Sequence, residues 1–431
     1  MINKLNWKRN IALFLFGQGL TLFGSMLVHY AIMWHITLQT QSGVMMTLIT
    51  VAGALPMFFI SPFGGVWADR YNKKHVINIA DSAIAAITLV MAVLFSFDYE
   101  FNWLLLVCLA TRALGQGVQM PAVSALIPEL VPEEHLTRVN GISGGLQSLI
   151  MFGSPMAGAA LLAFAPIQTL MYIDVVTAAI GISILFFLVK VPVLAREKEI
   201  KPGAKQYFVE IKEGLRYIAG DSFLKRFLVL GAVFSIMLAP ASIMTPLQVA
   251  RNYGDDIWTL FGNFALGAEQ RLAAIEVAFF AGMSLGGLLI GAWGGFRNKC
   301  RSMMAGIILQ GVFVVCLGTV GNFWIYSSCM LLTGIVIPMS NAPMMATLQS
   351  YTDPAYMGRV FSVLMMMSSL MMPLGMVFWG PLGDIIDIGW ILVGTGIFIF
   401  LLGAVFIFDK TILKAGEPKE TTQSINSKSS V

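Results

Sequence analysis

Long apolar runs alternate with short polar segments along this chain of 431 residues. A helix needs about 20 apolar residues to cross a bilayer, and twelve runs reach that length. They lie near Ile11–His35, Met45–Trp67, Val76–Phe95, Trp103–Leu126, Val139–Phe164, Leu170–Val189, Leu224–Ala250, Ala273–Trp293, Met303–Val320, Phe323–Leu348, Val360–Leu382 and Trp390–Phe408. Backbone polar groups in lipid must bond within their own segment, which favours helices. The pattern therefore predicts an all-α membrane protein with twelve transmembrane helices.

The amino-acid composition limits the classes of function that this chain is expected to have. Hydrophobic residues make up 57% of the chain and charged residues only 12%, whereas a soluble domain carries roughly 25% charge. The four cysteines show neither a disulfide framework nor metal-ligand spacing. The chain also lacks a G-x-x-x-x-G-K-S/T nucleotide loop and any catalytic constellation. We therefore expect neither an enzyme nor a bound metal or cofactor.

The cations alternate between the two sides of the predicted bundle. All but three of the 27 Lys and Arg residues precede the first run or follow an even-numbered one, the exceptions being Arg112, Arg251 and Arg271. Cationic loops stay on the cytoplasmic side of a membrane. This asymmetry predicts a multi-pass protein of the cell inner (plasma) membrane with both termini cytoplasmic. It also makes a nucleic-acid partner unexpected, because the cations belong to loops.

One long polar stretch divides the twelve runs into six and six. Its segment Lys205–Tyr217 places apolar residues among charged ones, as in a helix lying on a membrane surface. Pro121 and Pro343 fall late in the fourth and tenth runs, a weak sign of an internal repeat. The predicted divisions are an N-terminal half (1–190), a linker with an amphipathic helix (191–222), a C-terminal half (223–409) and a disordered cytoplasmic tail (410–431).

The polar segment between the second and third runs resembles the signature loop of the major facilitator superfamily, G-x-x-x-D-R-x-x-R/K-R/K. The matching residues, called the signature loop below, are Gly65, Asp69, Arg70, Lys73 and Lys74. The resemblance implies two pseudo-symmetric six-helix halves that this loop latches in the outward-facing state. We expect Gly65 to allow close helix contact and the cations to pair with acids near helix ends or with lipid headgroups.

Arg112 lies near the middle of the fourth run, where a charge costs several kcal/mol unless it faces a partner or a water-filled cavity. With the following Gly115 and Gly117 it resembles the family's R-x-x-x-G motif, whose arginine is implicated in proton coupling. A purely structural ion pair within the bundle is the alternative interpretation.

Three acids in or near the runs are candidates for proton coupling or substrate binding: Asp81, Asp174 and Glu276. Buried carboxyl groups can exchange protons near neutral pH. Asp174 and Glu276 could also attract a cationic drug or pair with Arg112. Helix-end capping is the alternative, and for Asp81 we favour a structural role beside the signature-loop cations.

The fifth run carries Gly153, Pro155 and Gly158, which resemble the G-P-x-x-G motif of exporters in this superfamily, with Ser154 inserted. Small residues at such spacing allow helices to pack closely, so ordinary packing is the alternative. The motif favours export without deciding the direction.

Taken together, the chain resembles the drug–proton antiporters of the superfamily and, through Pro121–Glu134 and Gly358–Ser362, their macrolide-efflux branch. The resemblance implies a monomeric, proton-coupled exporter of amphipathic small molecules, embedded in the lipid bilayer and working by alternating access. Two alternatives stay open: a transporter of a specific metabolite or siderophore, in either direction, and a non-transporting membrane sensor.

Overall fold

A computed structural model describes residues 6–99, 101–162, 164–191, 204–253, 268–353 and 356–417. Parts of two predicted segments lie outside the described residues. These are positions 192–203 of the linker and positions 418–431 of the tail.

The described residues form helices joined by short loops, and they contain no strand. The helices are α1 Trp7–Thr40, α2 Gly43–Arg70, α3 Lys73–Ser96, α4 Asn102–Leu130, α5 Leu136–Leu162, α6 Ile167–Ser183, α7 Ala204–Gly220, α8 Ser222–Ile243, α9 Thr245–Asn252, α10 Ala268–Trp293, α11 Lys299–Thr319, α12 Phe323–Tyr351, α13 Met357–Leu382, α14 Ile388–Phe406 and α15 Lys410–Ala415. α7 forms where the sequence predicts an amphipathic helix in the linker.

Eleven spans among the described residues are long and apolar enough to cross a membrane, with α8 and α9 counted as one span. The twelfth predicted span is α4, which has 29 residues. α4 carries Arg112, Gln116 and Gln119, and such polar side chains lower its mean hydropathy. Arg112 and Gln119 also form hydrogen bonds inside unit 1.

The loops begin new helices through side-chain caps. The Asn72 side chain accepts a hydrogen bond from the Lys74 amide over 3.0 Å at the start of α3. Asn298 does the same for the Cys300 amide, also over 3.0 Å, at the start of α11. An asparagine oxygen satisfies amides that have no partner within the helix. The two halves therefore use the same device at equivalent loops.

The described residues group into two compact units. Unit 1 draws on Met1–Ile211, Ala239–Val277 and Met366–Ile388, and unit 2 on Lys212–Leu238, Ala278–Met365 and Gly389–Val431. α1 to α6 pack together in unit 1, and α11 packs on α12 in unit 2. Unit 1 thus contains α1 to α6 together with parts of later helices, including α9 and the end of α13.

Contacts at the first turn of α2 explain why unit 1 includes the end of α13. A Cβ on Gly43 would collide with the Gly380 carbonyl, so these two helices cross at glycines. Next to this crossing, the Thr47 hydroxyl donates to the Met376 carbonyl over 2.7 Å. The Gly43 amide donates to Oδ1 of Asp384 over 2.6 Å. Arg251, in α9, pairs with the same carboxylate over 2.8 Å.

The predicted disordered tail starts with an ordered helix. Asp409 caps α15, accepting from the Thr411 amide over 2.8 Å, and Ile412 is fully buried. The side chain of Asn298 donates to the Leu413 carbonyl over 2.8 Å, which fixes α15 against the start of α11. Burial of one apolar side chain and these polar contacts give this segment a defined position, contrary to the sequence-based expectation.

Candidate functional site

A buried ion pair lies inside unit 1. Nη1 of Arg112, in α4, is 2.6 Å from Oδ2 of Asp174, in α6, and both side chains are almost completely buried. Arg112 also donates to the Thr88 hydroxyl in α3 and, over 3.2 Å, to the Ser25 carbonyl in α1. Three other helices therefore supply partners to this guanidinium of α4, which offsets the cost of placing its charge in the membrane interior.

Glycines bring α1 and α6 close enough to enclose this pair. A Cβ on Gly24 would lie 2.8 Å from Oδ1 of Asp174, and one on Gly181 would lie 2.7 Å from the Gly17 carbonyl. Oδ1 of Asp174 is buried and accepts no hydrogen bond within the described residues. One carboxylate oxygen of Asp174 thus pairs with Arg112, and the other can still accept a hydrogen bond.

A second polar cluster surrounds Asp81 in α3. The Gln119 amide donates to Oδ1 of Asp81 over 2.8 Å and to Oε1 of Gln18 over 3.1 Å. Gln18 donates to Oδ2 of Asp81 over 3.4 Å. Asp81 is 1% exposed, and within the described part of the chain its hydrogen-bond partners are these two neutral amides. The pairing with signature-loop cations that the sequence suggested is not formed.

The two clusters are stacked layers built from the same three helices. α1 contributes Gln18 and Ser25, α3 contributes Asp81 and Thr88, and α4 contributes Arg112 and Gln119. Each pair is seven residues apart, which is two helical turns on one face and a rise of roughly 10 Å. Sequence reasoning identified Arg112, Asp81 and Asp174 but did not assign Gln119, Thr88 or Ser25 to the site. The seven-residue spacing was the signal available for them.

The two layers interact electrostatically. Charges roughly 10 Å apart in a protein interior still interact, because the low dielectric screens them little, so the carboxylates of Asp81 and Asp174 are expected to repel one another. A change of charge at one carboxylate therefore alters the energy of the other.

Glu276, the remaining candidate acid, is not part of either layer. It lies in α10, half-buried, within electrostatic range of the Tyr30 hydroxyl on α1. Among the described residues it makes no hydrogen bond to Arg112, Asp81 or Asp174. The structure thus joins two of the predicted residues directly, places Asp81 in the adjoining layer and leaves Glu276 separate.

The signature loop is anchored through its lysines. Lys73 is only 5% exposed and forms an ion pair with Glu129, near the end of α4. Nζ of Lys74 donates to the Val189 carbonyl over 2.9 Å. Arg70 is exposed, and the side chain of Asp69 lies outside the described residues. Lys73 and Glu129 form the type of pair that was expected for the loop cations.

The expected close contact at Gly65 is wrong by one residue. No atom of the described residues lies within 4 Å of a Cβ placed on Gly65, whereas one placed on Gly64 would lie 2.5 Å from the Gly117 carbonyl. Adjacent helical residues point about 100° apart, so only one of the two glycines can face α4. Gly117, in turn, presents its backbone to Met57 in α2.

The glycines of α5 do not form a common packing face. A Cβ placed on Gly153 would have no described atom within 4 Å, whereas one placed on Gly158 would make a tight contact, 3.3 Å from a ring atom of Trp34. Pro155 lies inside the helix. The inserted Ser154 is fully buried, and its hydroxyl has no hydrogen-bond partner among the described residues. Close packing therefore accounts for Gly158 but not for Gly153.

Comparisons with known proteins agree with this architecture. Macrolide efflux protein A of Streptococcus pyogenes is 28% identical over 391 residues, covering 90% of this chain and 93% of that protein. Macrolide efflux protein A of Enterococcus faecalis is 29% identical over 335 residues, covering 77% and 99% respectively. These similarities extend over nearly all of the relatives' own lengths.

Solved structures share the fold at low sequence identity. A mutant of the nucleoside transporter NupG superposes with a TM-score of 0.70 at 15% identity, covering 94% of this chain and 100% of that one. A POT family transporter in complex with 5-aminolevulinic acid gives a TM-score of 0.70 at 13% identity, covering 94% and 96%. The predicted helical membrane fold is confirmed. The family model described as Major Facilitator Superfamily matches residues 11–269 and 263–429, and the chain therefore belongs to that superfamily.

Proposed function

We propose that this transporter is a proton-coupled exporter of amphipathic small molecules of the macrolide type, working by alternating access. Membership of the superfamily makes it a membrane transporter. The substrate class is proposed from two relatives named as macrolide efflux proteins. The remaining part of the proposal is the coupling of transport to protons. The interior of unit 1 contains the ionisable groups that could provide it, namely Asp81, Asp174 and Arg112.

The observation that carries the proposal is that each polar layer holds a buried carboxylate and that the two carboxylates have different partners. Asp174 has the Arg112 guanidinium as its counter-charge. Among the described residues, the hydrogen-bond partners of Asp81 are the side-chain amides of Gln18 and Gln119. A buried charge without a cation is costly, and a proton is the smallest group that neutralises a carboxylate. Asp81 is therefore the proposed proton carrier, and the Arg112–Asp174 pair the group that responds to it.

Coupling then follows from the repulsion between the two carboxylates. A proton on Asp81 removes that repulsion, and its release restores it. Arg112 is hydrogen-bonded to α1, α3 and α6 at once. A change in the charge of Asp81 alters the strength of the Arg112–Asp174 ion pair. It therefore shifts the equilibrium between conformations in which these helices pack differently. A ligand or proton can drive such an equilibrium only through different interactions in its two states.

Glu276 is proposed as a second acidic contact, for a cationic substrate. It lies on α10 near Tyr30 rather than in the layers, so its loss should affect substrate affinity more than coupling. We propose that both termini lie in the cytoplasm, from the distribution of Lys and Arg, and that the transporter works as a monomer.

The signature loop would act as the gate, and the exporter-like residues of α5 support the outward direction.

The test uses the purified full chain in proteoliposomes with an acidic interior and a labelled macrolide outside. Inside-out molecules should accumulate the macrolide, and a protonophore should abolish that accumulation. Asp81→Asn should lose gradient-driven accumulation but keep exchange of labelled for unlabelled macrolide, because exchange needs no net proton movement. Asp98→Asn, at an exposed position after α3, is the matched control and should behave like the wild type.

Three results would count against the proposal. Accumulation that survives the protonophore would exclude proton coupling. Normal accumulation by Asp81→Asn would exclude Asp81 as the proton carrier. Absence of both accumulation and exchange in folded wild-type protein would favour a transporter of another substrate or a non-transporting sensor.

A further inference from the structure

Unit 2 contains two cavities that meet at Lys299. The first, of about 660 Å³, is mainly apolar and lies between α10 and α12, lined by residues including Met283, Gly287, Ile290, Pro338 and Ala342. The second, of about 670 Å³, is lined by Arg297, Lys410 and Lys414 together with Ser350 and Tyr351. Lys299 lines both. The combined site has an apolar part next to a cationic part.

The apolar cavity arises where two tightly packed helices separate. A Cβ on Gly282 or Gly286 would collide with the carbonyl of Leu331 or Ile335, so α10 and α12 touch there. By contrast, a Cβ placed on Gly287, the next residue, or on Gly291, one turn further on, would have no described atom within 4 Å. α12 contains Pro338 and Pro343 in the same region, and a proline inside a helix bends it away. The cavity is therefore built into the helix geometry.

The cationic cavity is held together by the docking of α15. The Lys299 amide donates to the Gly416 carbonyl over 3.1 Å. Asn298 donates to the Leu413 carbonyl over 2.8 Å. At the other end of α15, Asp409 forms an ion pair with Arg226. These contacts keep Lys410 and Lys414 beside Arg297 and Lys299, although the four cations repel one another.

The pseudo-repeat provides an internal comparison for Lys299. Both Lys73 and Lys299 follow the asparagine that caps the third helix of their half, Asn72 and Asn298. Lys73 is neutralised by Glu129, near the end of α4. At the equivalent end of α12, the cavity beside Lys299 is lined by Ser350 and Tyr351. At this end of α12, the described second half thus carries Ser350 and Tyr351 where the first half carries Glu129.

The nearby acids leave the cavity with an excess of positive charge. Asp221 accepts from the Tyr351 hydroxyl over 3.0 Å, and Asp409 is engaged by Arg226. Glu417 is the acid that lines the cavity. In the described part of the chain, Arg297, Lys299, Lys410 and Lys414 form no ion pair. The excess of positive charge therefore favours binding of an anion in this cavity.

Exposed aromatic rings mark the level of this site in the membrane. Trp293 and Phe296 pack edge to face with ring centroids 4.8 Å apart, and each is about half exposed (49% and 48%). Exposed Trp residues at helix ends are typical of the boundary between hydrocarbon and headgroups. The apolar cavity would then extend toward the hydrocarbon side and the cations toward the headgroup side.

We propose that the two cavities form one binding site for an anionic phospholipid. The phosphate binds Lys299 with Arg297, Lys410 and Lys414, and one acyl chain occupies the cavity between α10 and α12. Basic pockets between membrane helices suit anionic headgroups, and pockets of several hundred cubic ångströms suit ligands of this size. The adjoining apolar cavity favours a lipid over a free phosphate ion.

The experiment is a native mass-spectrometric titration of the detergent-purified full chain. The probes are phosphatidylglycerol, phosphatidylcholine with the same acyl chains, and glycerol phosphate. The expected result is one phosphatidylglycerol bound at least ten-fold more tightly than either of the other two. Lys299→Gln combined with Lys414→Gln should weaken phosphatidylglycerol at least ten-fold. Lys225→Gln, an exposed cation elsewhere in unit 2, should have no effect.

A second variant tests the acyl chain separately. Gly287→Leu places a side chain into the open space of the apolar cavity and should weaken phosphatidylglycerol while leaving glycerol phosphate unchanged. Equal binding of phosphatidylglycerol and phosphatidylcholine would overturn the proposal. So would glycerol phosphate binding as tightly as the lipid, or full lipid affinity in Gly287→Leu. These outcomes do not depend on the transported substrate.

Discussion

Arg251 and Asp384 form an ion pair, with Nη2 of the arginine 2.8 Å from Oδ1 of the aspartate, at the end of α2 opposite the signature loop. The carboxylate also accepts hydrogen bonds from the Gly43 and Val44 amides over 2.6 and 3.0 Å. It thereby caps the first turn of α2 from a loop 341 positions away in the chain. An anion at a helix N-terminus is favourable because the amides there lack partners.

This pair predicts a pH dependence. Partial burial acts to raise the pKa of Asp384, but the hydrogen bonds from Gly43, Val44, Ser42 and Arg251 outweigh it and hold the pKa below the ordinary value of 3.8. A lowered pKa in the folded state adds stability above the unfolded-state pKa, and that stability is lost as the pH falls through the folded-state value. Asp384→Asn should therefore lower the melting temperature in detergent more at pH 7 than at pH 3. An equal effect at both pH values would contradict this account.

The buried pair of Arg112 and Asp174 should show strong coupling between the two residues. Arg112→Gln leaves a buried carboxylate unpaired, and Asp174→Asn leaves a buried guanidinium unpaired. Each should lower the free energy of unfolding by about 3–5 kcal/mol. The double variant should lose less than the sum of the two, because neither charge remains. Thermal unfolding of the four proteins in detergent measures this cycle, and simple additivity would show that the side chains do not interact.

Neighbouring glycines in α2 should respond differently to the same substitution. Gly64→Ala forces a methyl group against the Gly117 backbone and should destabilise the protein by about 1–3 kcal/mol through overpacking. Gly65→Ala enters open space and should change stability by less than about 0.5 kcal/mol. Melting temperatures of the two variants decide the point. A larger loss for Gly65→Ala would mean that Gly65, and not Gly64, faces α4.

The anchoring of the signature loop can be tested at Glu129. Glu129→Gln deprives the nearly buried Lys73 ammonium of its carboxylate and should lower the free energy of unfolding by about 1–3 kcal/mol. Glu134→Gln is the matched control, since that side chain is 77% exposed. Equal stability of the two variants, measured by thermal unfolding, would show that the ion pair does not anchor the loop.

The sequence alone was sufficient for the helices and the family. Apolar runs of membrane length are a local property, and so is the match of Gly65 to Lys74 with a known loop. Polar residues inside an apolar run carry a high energetic cost, which is why Arg112, Asp81 and Asp174 could be singled out before any contact was known. All three residues lie in unit 1.

The tertiary structure decided which side chains meet. Helix rotation determines that Gly64 rather than Gly65 faces α4, and a single residue changes the facing direction by about 100°. It also determines that Arg112 takes Asp174 as partner while Asp81 is left with Gln18 and Gln119. The docking of α15 depends likewise on contacts with α11, more than a hundred residues earlier. Hydropathy is read along one helix, whereas pairing depends on the rotation and crossing of several, and only packing fixes those.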